Sequence, residues 1–216
     1  MDVLVEYFDL FVDGFLVSLR IIVVSTVGSL LLGTAVAACR VSPSPPLQAV
    51  GTAYVTIFRN APLTVVLFFL VFAVPQVGVN GTFFALAVTG LVLYTAAFVC
   101  EALRAGINSV SAGQAEAARA LGLGFGAVLL QVVLPQAFRT SIPPVGSVLI
   151  AMFKNSAVLG AFGVGGDLFS VGVRLNSSLG LAPLPVFTGV AIGYLAITLP
   201  AGGLLAYLER RTAVVR

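Results

Sequence analysis

No histidine occurs in the 216 residues of this chain. That absence removes Ser-His-Asp triads, Cys-His dyads, imidazole metal sites and imidazole proton relays together. Cysteine is nearly missing as well. Cys39 and Cys100 lie in apolar runs and read as small buried hydrophobes, not as a disulfide framework or a metal pair. Charge is the third shortage: Asp, Glu, Lys and Arg make up 9% of the chain, against roughly 25% in an ordinary soluble domain. With 59% hydrophobic residues and a mean hydropathy of +1.12, a soluble globule would lack the polar surface that keeps it in water. Soluble enzymes are thereby excluded. The net charge of +3 is eleven basic less eight acidic residues, and the basic ones are spread without a dense patch, so nucleic acid is not an expected partner. The composition is that of a polytopic membrane protein.

Long gaps between charges mark the membrane spans. Residues 21–39 carry no charge and are close to the ~20 residues that cross a ~30 Å hydrocarbon core. Residues 60–100 are uncharged but broken by Pro75, Gly78, Asn80 and Gly81, a turn signal that predicts spans near 61–75 and 83–103. A fourth span is expected near 140–156, preceded by a helical stretch broken at Pro135, and a fifth near 184–207. The expected fold is therefore all-α, with about five transmembrane helices in one domain covering 1–216, for no repeat or long linker divides it.

Five spans place the two ends on opposite sides, and the positive-inside rule chooses between the two arrangements. With the N-terminus out and the C-terminus in, the inner segments hold Arg40, Arg59, Arg104, Arg119, Arg139, Arg210, Arg211 and Arg216. The outer ones hold Asp2, Glu6, Asp9, Asp13, Asp167 and Arg174. Asp2, Glu6, Asp9 and Asp13 share one helical face, which predicts a short amphipathic helix over 1–13 on the outer surface. The acidic start lacks the basic region of a cleaved signal peptide.

The inner segment 104–139 is too long and too regular for a plain connection. Ser111 followed by Gln114 has the spacing of a capping box. Residues 115–121 are nearly all strong helix formers, and Gly122 supplies a left-handed stop. A short, slim helix follows. It is either a docking helix for another protein, with Glu116 as its charged contact, or an ordinary surface helix in which Glu116 pairs with Arg119.

Glu116-Ala117-Ala118, then Gly122, then Val132-Val133-Leu134-Pro135 resembles the Glu-Ala-Ala loop of the membrane-spanning subunits of bacterial ATP-binding-cassette importers. Val132 stands where that family usually has isoleucine. Phe58–Leu63, Gly113–Arg119, Leu134–Ala137 and Lys154–Ala157 resemble segments of the polar amino-acid permeases. Arg40–Pro43, Arg59–Leu63 and Gln114–Gly126 are similar to glutamate permease subunits of Gram-positive bacteria. The resemblance implies an amino-acid importer permease, for glutamate or a related polar amino acid, in the cytoplasmic membrane. Its partners would be a cytoplasmic ATPase dimer, a second permease subunit (a related chain rather than a copy) and an extracytoplasmic solute-binding protein. It also implies that 104–139 is a cytoplasmic coupling segment, with Ser111, Gln114, Glu116, Ala117, Ala118, Arg119 and Gly122 transmitting ATPase motion.

This chain carries no phosphate loop of the Gly-x-x-x-x-Gly-Lys-Ser/Thr type. It is expected to be a transport subunit with no catalytic residue, metal or cofactor of its own. The glycines of 160–166 read as outer-loop backbone. Ionisable residues near spans are the pathway candidates, because they are costly in lipid. Lys154, trailed by Asn155 and Ser156, either lines the pathway or snorkels to an interface. Arg59 and Glu101 either form a structural ion pair or gate the cytoplasmic mouth, with Arg104 competing for Glu101. The rival class is a stand-alone secondary transporter or channel for small polar solutes. The odd span count and missing inverted repeat speak against it.

Overall fold

The computed structural model describes residues 2–162 and 165–212, with backbone alone at 2, 125 and 212. Every regular element among them is helical. Helix α1 is Asp2–Glu6 and α2 is Phe8–Val41. Then come α3 (Pro45–Asn60), α4 (Leu63–Phe68), a π turn (Phe69–Ala73) and a 3-10 turn (Val74–Val77). Helix α5 spans Phe83–Asn108, α6 Ala112–Ala120 and α7 Phe125–Val128, and a second π turn covers Leu129–Val133. The chain closes with α8 (Leu134–Asn155), α9 (Ala157–Ala161), α10 (Leu168–Ser177) and α11 (Pro183–Thr212).

Four helical stretches are long and apolar enough to cross a membrane: α2, α5, Gly126–Ala161 and Pro183–Arg211. The pair Pro45–Asn60 and Leu63–Val77, bent by 105°, passes the same test only when its two limbs are taken together, which gives four candidate spans, or five with this pair. The second span, expected near 61–75, is thus the second limb of a broken pair. Pro62 forces the break, because a proline drives the residue before it out of the α region. Ala61 has ψ 137° and Pro62 ψ 138°. The limb then unwinds through its π and 3-10 turns to Gly78, whose φ of +86° ends it.

The expected surface helix over 1–13 does not exist as a separate element. A break at Tyr7 (φ −109°, ψ 22°) leaves α1 as a single short turn, and residues 8–13 begin the 34-residue α2. At 1.5 Å per residue α2 is about 51 Å long, well beyond a ~30 Å core. Glu6, Asp9 and Asp13 are exposed as their spacing requires, while the Asp2 side chain lies outside the described residues. On the other side Phe11 is buried and packs with Val186 and Val190 of α11, while Val5, Phe8 and Val12 stay exposed.

Helices pack closely at glycines, as membrane helices do when lipid gives no hydrophobic drive between them. A Cβ on Gly28 would come within 2.9 Å of Val92, and one on Gly33 within 2.7 Å of Val99. Both steps run in the same sense, so α2 and α5 are parallel. Gly106 of α5 meets Ala137 and Ser141 of α8, whereas Thr95 faces Met152 and Asn155, so these two helices are antiparallel. The central core joins Ile21, Leu67, Val71, Leu91, Met152 and Leu159 from all of them.

Helix α10 closes one end of the bundle. The backbone N–H of Leu168 donates to Ser18 Oγ of α2 at 3.0 Å, and Gly172 approaches Val190 of α11. Helix α6 lies at the other end, beside the second π turn and the start of α8.

Candidate functional site: an exposed short helix and a charged vestibule

Helix α6 has a defined start and stop. Ser111 holds the extended conformation of an N-cap (φ −60°, ψ 133°), but its side chain makes no capping bond. Gln114 donates its backbone N–H to the Ser111 carbonyl at 3.1 Å. Its side-chain carbonyl accepts from Gln136 Nε2 instead of reaching back, so the capping box is absent and Gln114 ties α6 to α8. At the far end Gly122 has φ +83°, Gly122 N–H donates to Arg119 O at 2.9 Å and Leu123 N–H to Ala118 O at 3.2 Å. This is a Schellman stop, which needs a left-handed residue in that place.

Only one face of α6 turns inward. Ala118 is 6% exposed, while Glu116, Ala117 and Arg119 are exposed and Leu121 is 85% exposed. Glu116 and Arg119 do not pair among the described residues. Gly113, Glu116, Ala117 and Leu121 therefore form a slim outward ridge with an apolar tip.

The second feature gathers charge. Glu101 of α5 accepts a hydrogen bond at Oε1 from Arg40 Nη1 of α2. Arg104 Nε lies 3.6 Å from the same oxygen, one turn along α5. Arg59 Nη1 of α3 lies 3.3 Å from Oε2. Three helices thus meet on one carboxylate. Arg40, Thr56, Arg59, Asn60, Phe98 and Glu101 line a cavity of about 320 Å³. A smaller cavity of about 150 Å³ lies between α5 and α8, walled by Tyr94, Thr95, Phe98, Met152 and Asn155. Phe98 borders both, and the Arg59 guanidinium sits 5.7 Å from its ring centroid.

Of the five pathway candidates, the structure brings Arg59, Glu101 and Asn155 to these two cavities. Lys154 is exposed on α8 and lines neither. Ser156 is buried and its hydroxyl donates to the Phe153 carbonyl at 2.7 Å, back into its own helix. Sequence reasoning passed over Arg40, which lies 61 positions from its partner on another helix.

It also passed over Asp167, read only as a loop residue. Asp167 is fully buried at the N-cap of α10, where Oδ1 accepts the N–H groups of Phe169 (2.9 Å) and Ser170 (3.3 Å). Burial pushes this carboxyl above its ordinary value, and the Ser170 and Phe169 hydrogen bonds pull it partly back. The Asp-x-x-Ser spacing of 167–170 was the available signal. Gly165 and Gly166 just before it have φ of +64° and +91°, and Gly160 is helical; Gly163 lies outside the described residues.

Residues 29–214 match the family model of binding-protein-dependent transport system inner membrane components. The chain belongs to this family. Its relatives include the probable glutamine ABC transporter permease protein GlnM of Bacillus subtilis, 40% identical with 98% of this chain and 97% of the relative covered. The glutamate transport system permease protein GluC of Corynebacterium efficiens is 41% identical over 93% of each chain. Among solved structures, an amino acid ABC transporter crystallised with histidines matches at TM-score 0.90 and 31% identity over 96% of each chain. The MetNI methionine transporter in an inward-facing form shares the fold at TM-score 0.77 and 22% identity. The protein is therefore a membrane permease component with several apolar spanning helices, and no ATPase itself.

Proposed function

We propose that this chain forms half of the translocation pathway of an ATP-driven importer for glutamine or glutamate. The observation that carries this reading is the 40% and 41% identity, over nearly the whole chain, to permeases named for those two amino acids. The N-terminus faces out and the C-terminus faces in. Support for this comes from the segregation of charge: Arg40, Arg104, Arg119, Arg139 and Arg210 gather toward the α6 end, and Glu6, Asp9, Asp13 and Asp167 toward the α10 end.

Helix α6 is the coupling helix in this reading. Its ends are held by the Gln114–Gln136 bond and the Gly122 stop, so it moves as a rigid body. Glu116, Ala117 and Leu121 face the ATPase dimer, with Arg119 beside them, while Ala118 and Gln114 hold the helix to its own subunit. A second, related permease chain completes the pathway, and a solute-binding protein delivers the amino acid at the α10 end. Inside the bundle the amino acid passes along α5, from the pocket at Asn155 past Phe98 to Arg59 and Glu101.

Purification from native membranes in mild detergent, with mass spectrometry of the partners and ATP-dependent uptake after reconstitution, tests the proposal. Recovery of an ATPase and a second permease is the expected result. A stable chain recovered alone, transporting without ATP, would establish the secondary transporter instead.

A further inference from the structure

The charged vestibule holds three cations and one anion. Arg40, Arg59 and Arg104 surround the single carboxylate of Glu101, a formal surplus of +2 from three positive groups less one negative. The three arginines are not equivalent. Arg40 and Arg104 both approach Oε1, and their side chains are 14% and 32% exposed. Arg59 stands alone at Oε2, 3.3 Å away, and its side chain is 45% exposed. If Arg59 swings away, Glu101 keeps two cationic partners on the other oxygen. No buried charge is left unpaired, which is the usual large cost of breaking such a pair.

Arg59 also faces the cavity of about 320 Å³, near the lower limit of small-molecule pockets, with polar Thr56 and Asn60 in its wall. Phe98 lines both that cavity and the pocket at Asn155. A guanidinium is a planar, two-pronged donor that matches a carboxylate better than any other side chain.

We propose that Arg59 is an exit subsite for the α-carboxylate of the transported amino acid, and that Glu101 occupies this guanidinium while the subsite is empty. The exchange swaps one carboxylate for another at Arg59, so no charge is created or buried alone. It acts on the group common to all amino acids and is independent of the side chain. The inference rests on the importer reading and specifies the chemistry at one point of its pathway.

The test uses the assembled importer in lipid nanodiscs without the solute-binding protein, so that only the membrane part binds. Calorimetry compares L-glutamine with 4-aminobutanamide, which is glutamine without its α-carboxylate. Loss of Arg59 in R59Q is expected to weaken L-glutamine binding on the order of tenfold or more, the worth of a charged hydrogen-bonded pair. The same variant leaves 4-aminobutanamide binding within about twofold, since that probe has no carboxylate to lose. R59K keeps a cation beside Glu101 and should lose only about threefold for L-glutamine, which covers the case of an R59Q complex that fails to assemble. Equal L-glutamine affinity in wild type and R59Q, or an R59K loss that is the same for both probes, would overturn the subsite. ATP-coupled uptake by the wild type alongside either of those results leaves the importer reading intact. Absence of both ATPase and ATP-coupled uptake in the wild type overturns the importer reading and the subsite with it.

Discussion

Valine at position 122 perturbs the stop of α6. Gly122 has φ +83°, and beyond its chain neighbours no atom of this chain lies within 4 Å of an added Cβ. Its cost is purely conformational: about 1–2 kcal/mol for an L-residue in the left-handed region, with a β-branched residue at the upper end. That energy shifts the balance between locked and unlocked stops by a factor of about 5–30. The hydrogen bonds from Gly122 N–H to Arg119 O and from Leu123 N–H to Ala118 O are lost with it. Helix α6 then no longer ends at a set point, and motion of the ATPase is absorbed in the loop. The assay is the ratio of amino acid imported to ATP hydrolysed in proteoliposomes, at matched amounts of inserted chain. G122V is expected to insert normally and to lower this ratio severalfold. G122N should fall between the two, because asparagine tolerates the left-handed region. Gly124→Ala and Gly126→Ala are controls: neither glycine has positive φ and neither Cβ meets a neighbour. A G122V importer with wild-type coupling would refute the mechanical role of the stop.

Three further predictions concern packing, protons and the pathway. Gly33→Val places atoms within 2.7 Å of Val99 and 2.9 Å of the Ala96 carbonyl, and overpacking of this kind costs about 1–3 kcal/mol; thermal unfolding in detergent should drop by several degrees, and an unchanged midpoint would count against the α2–α5 contact. Asp167 carries a raised folded-state pKa, so the native state holds more protons than the unfolded chain and stability falls as pH rises from the ordinary value of 3.8 through the raised one. Asp167→Asn keeps the acceptor for Phe169 and Ser170 but cannot titrate, so its melting temperature should decline less with pH than that of the wild type; parallel curves would reject the buried carboxyl. Lys154→Gln should leave the uptake KM within about twofold, whereas Asn155→Leu, which puts an apolar side chain into the small cavity, should raise it severalfold or abolish uptake; the reverse ranking would relocate the pathway to the exposed face of α8.

The chain's reading from sequence succeeded where the signal was local. Spans α5 and α11 fall within a few residues of their expected limits, because an apolar run of membrane length has few other fates. Gly122 is left-handed because its place after a run of helix formers leaves little else. The bent pair α3–α4 was harder. Residues 45–60, for which no span was expected, carry one charge, Arg59, and in the structure form α3, packed against α2 and α5.

Composition alone determined that this is a membrane protein without histidine chemistry, and charge spacing determined the approximate number of crossings. Both follow from the cost of placing charge or unpaired backbone in hydrocarbon, which acts on each segment separately. The meeting of Arg40, Arg59 and Arg104 on Glu101, the choice of Asn155 over Lys154 at a cavity wall, and the burial of Asp167 were decided only by tertiary structure. Each depends on how helices from distant parts of the chain rotate and pack, and that rotation is set by close contacts such as Gly33 on Val99, which no local spacing records.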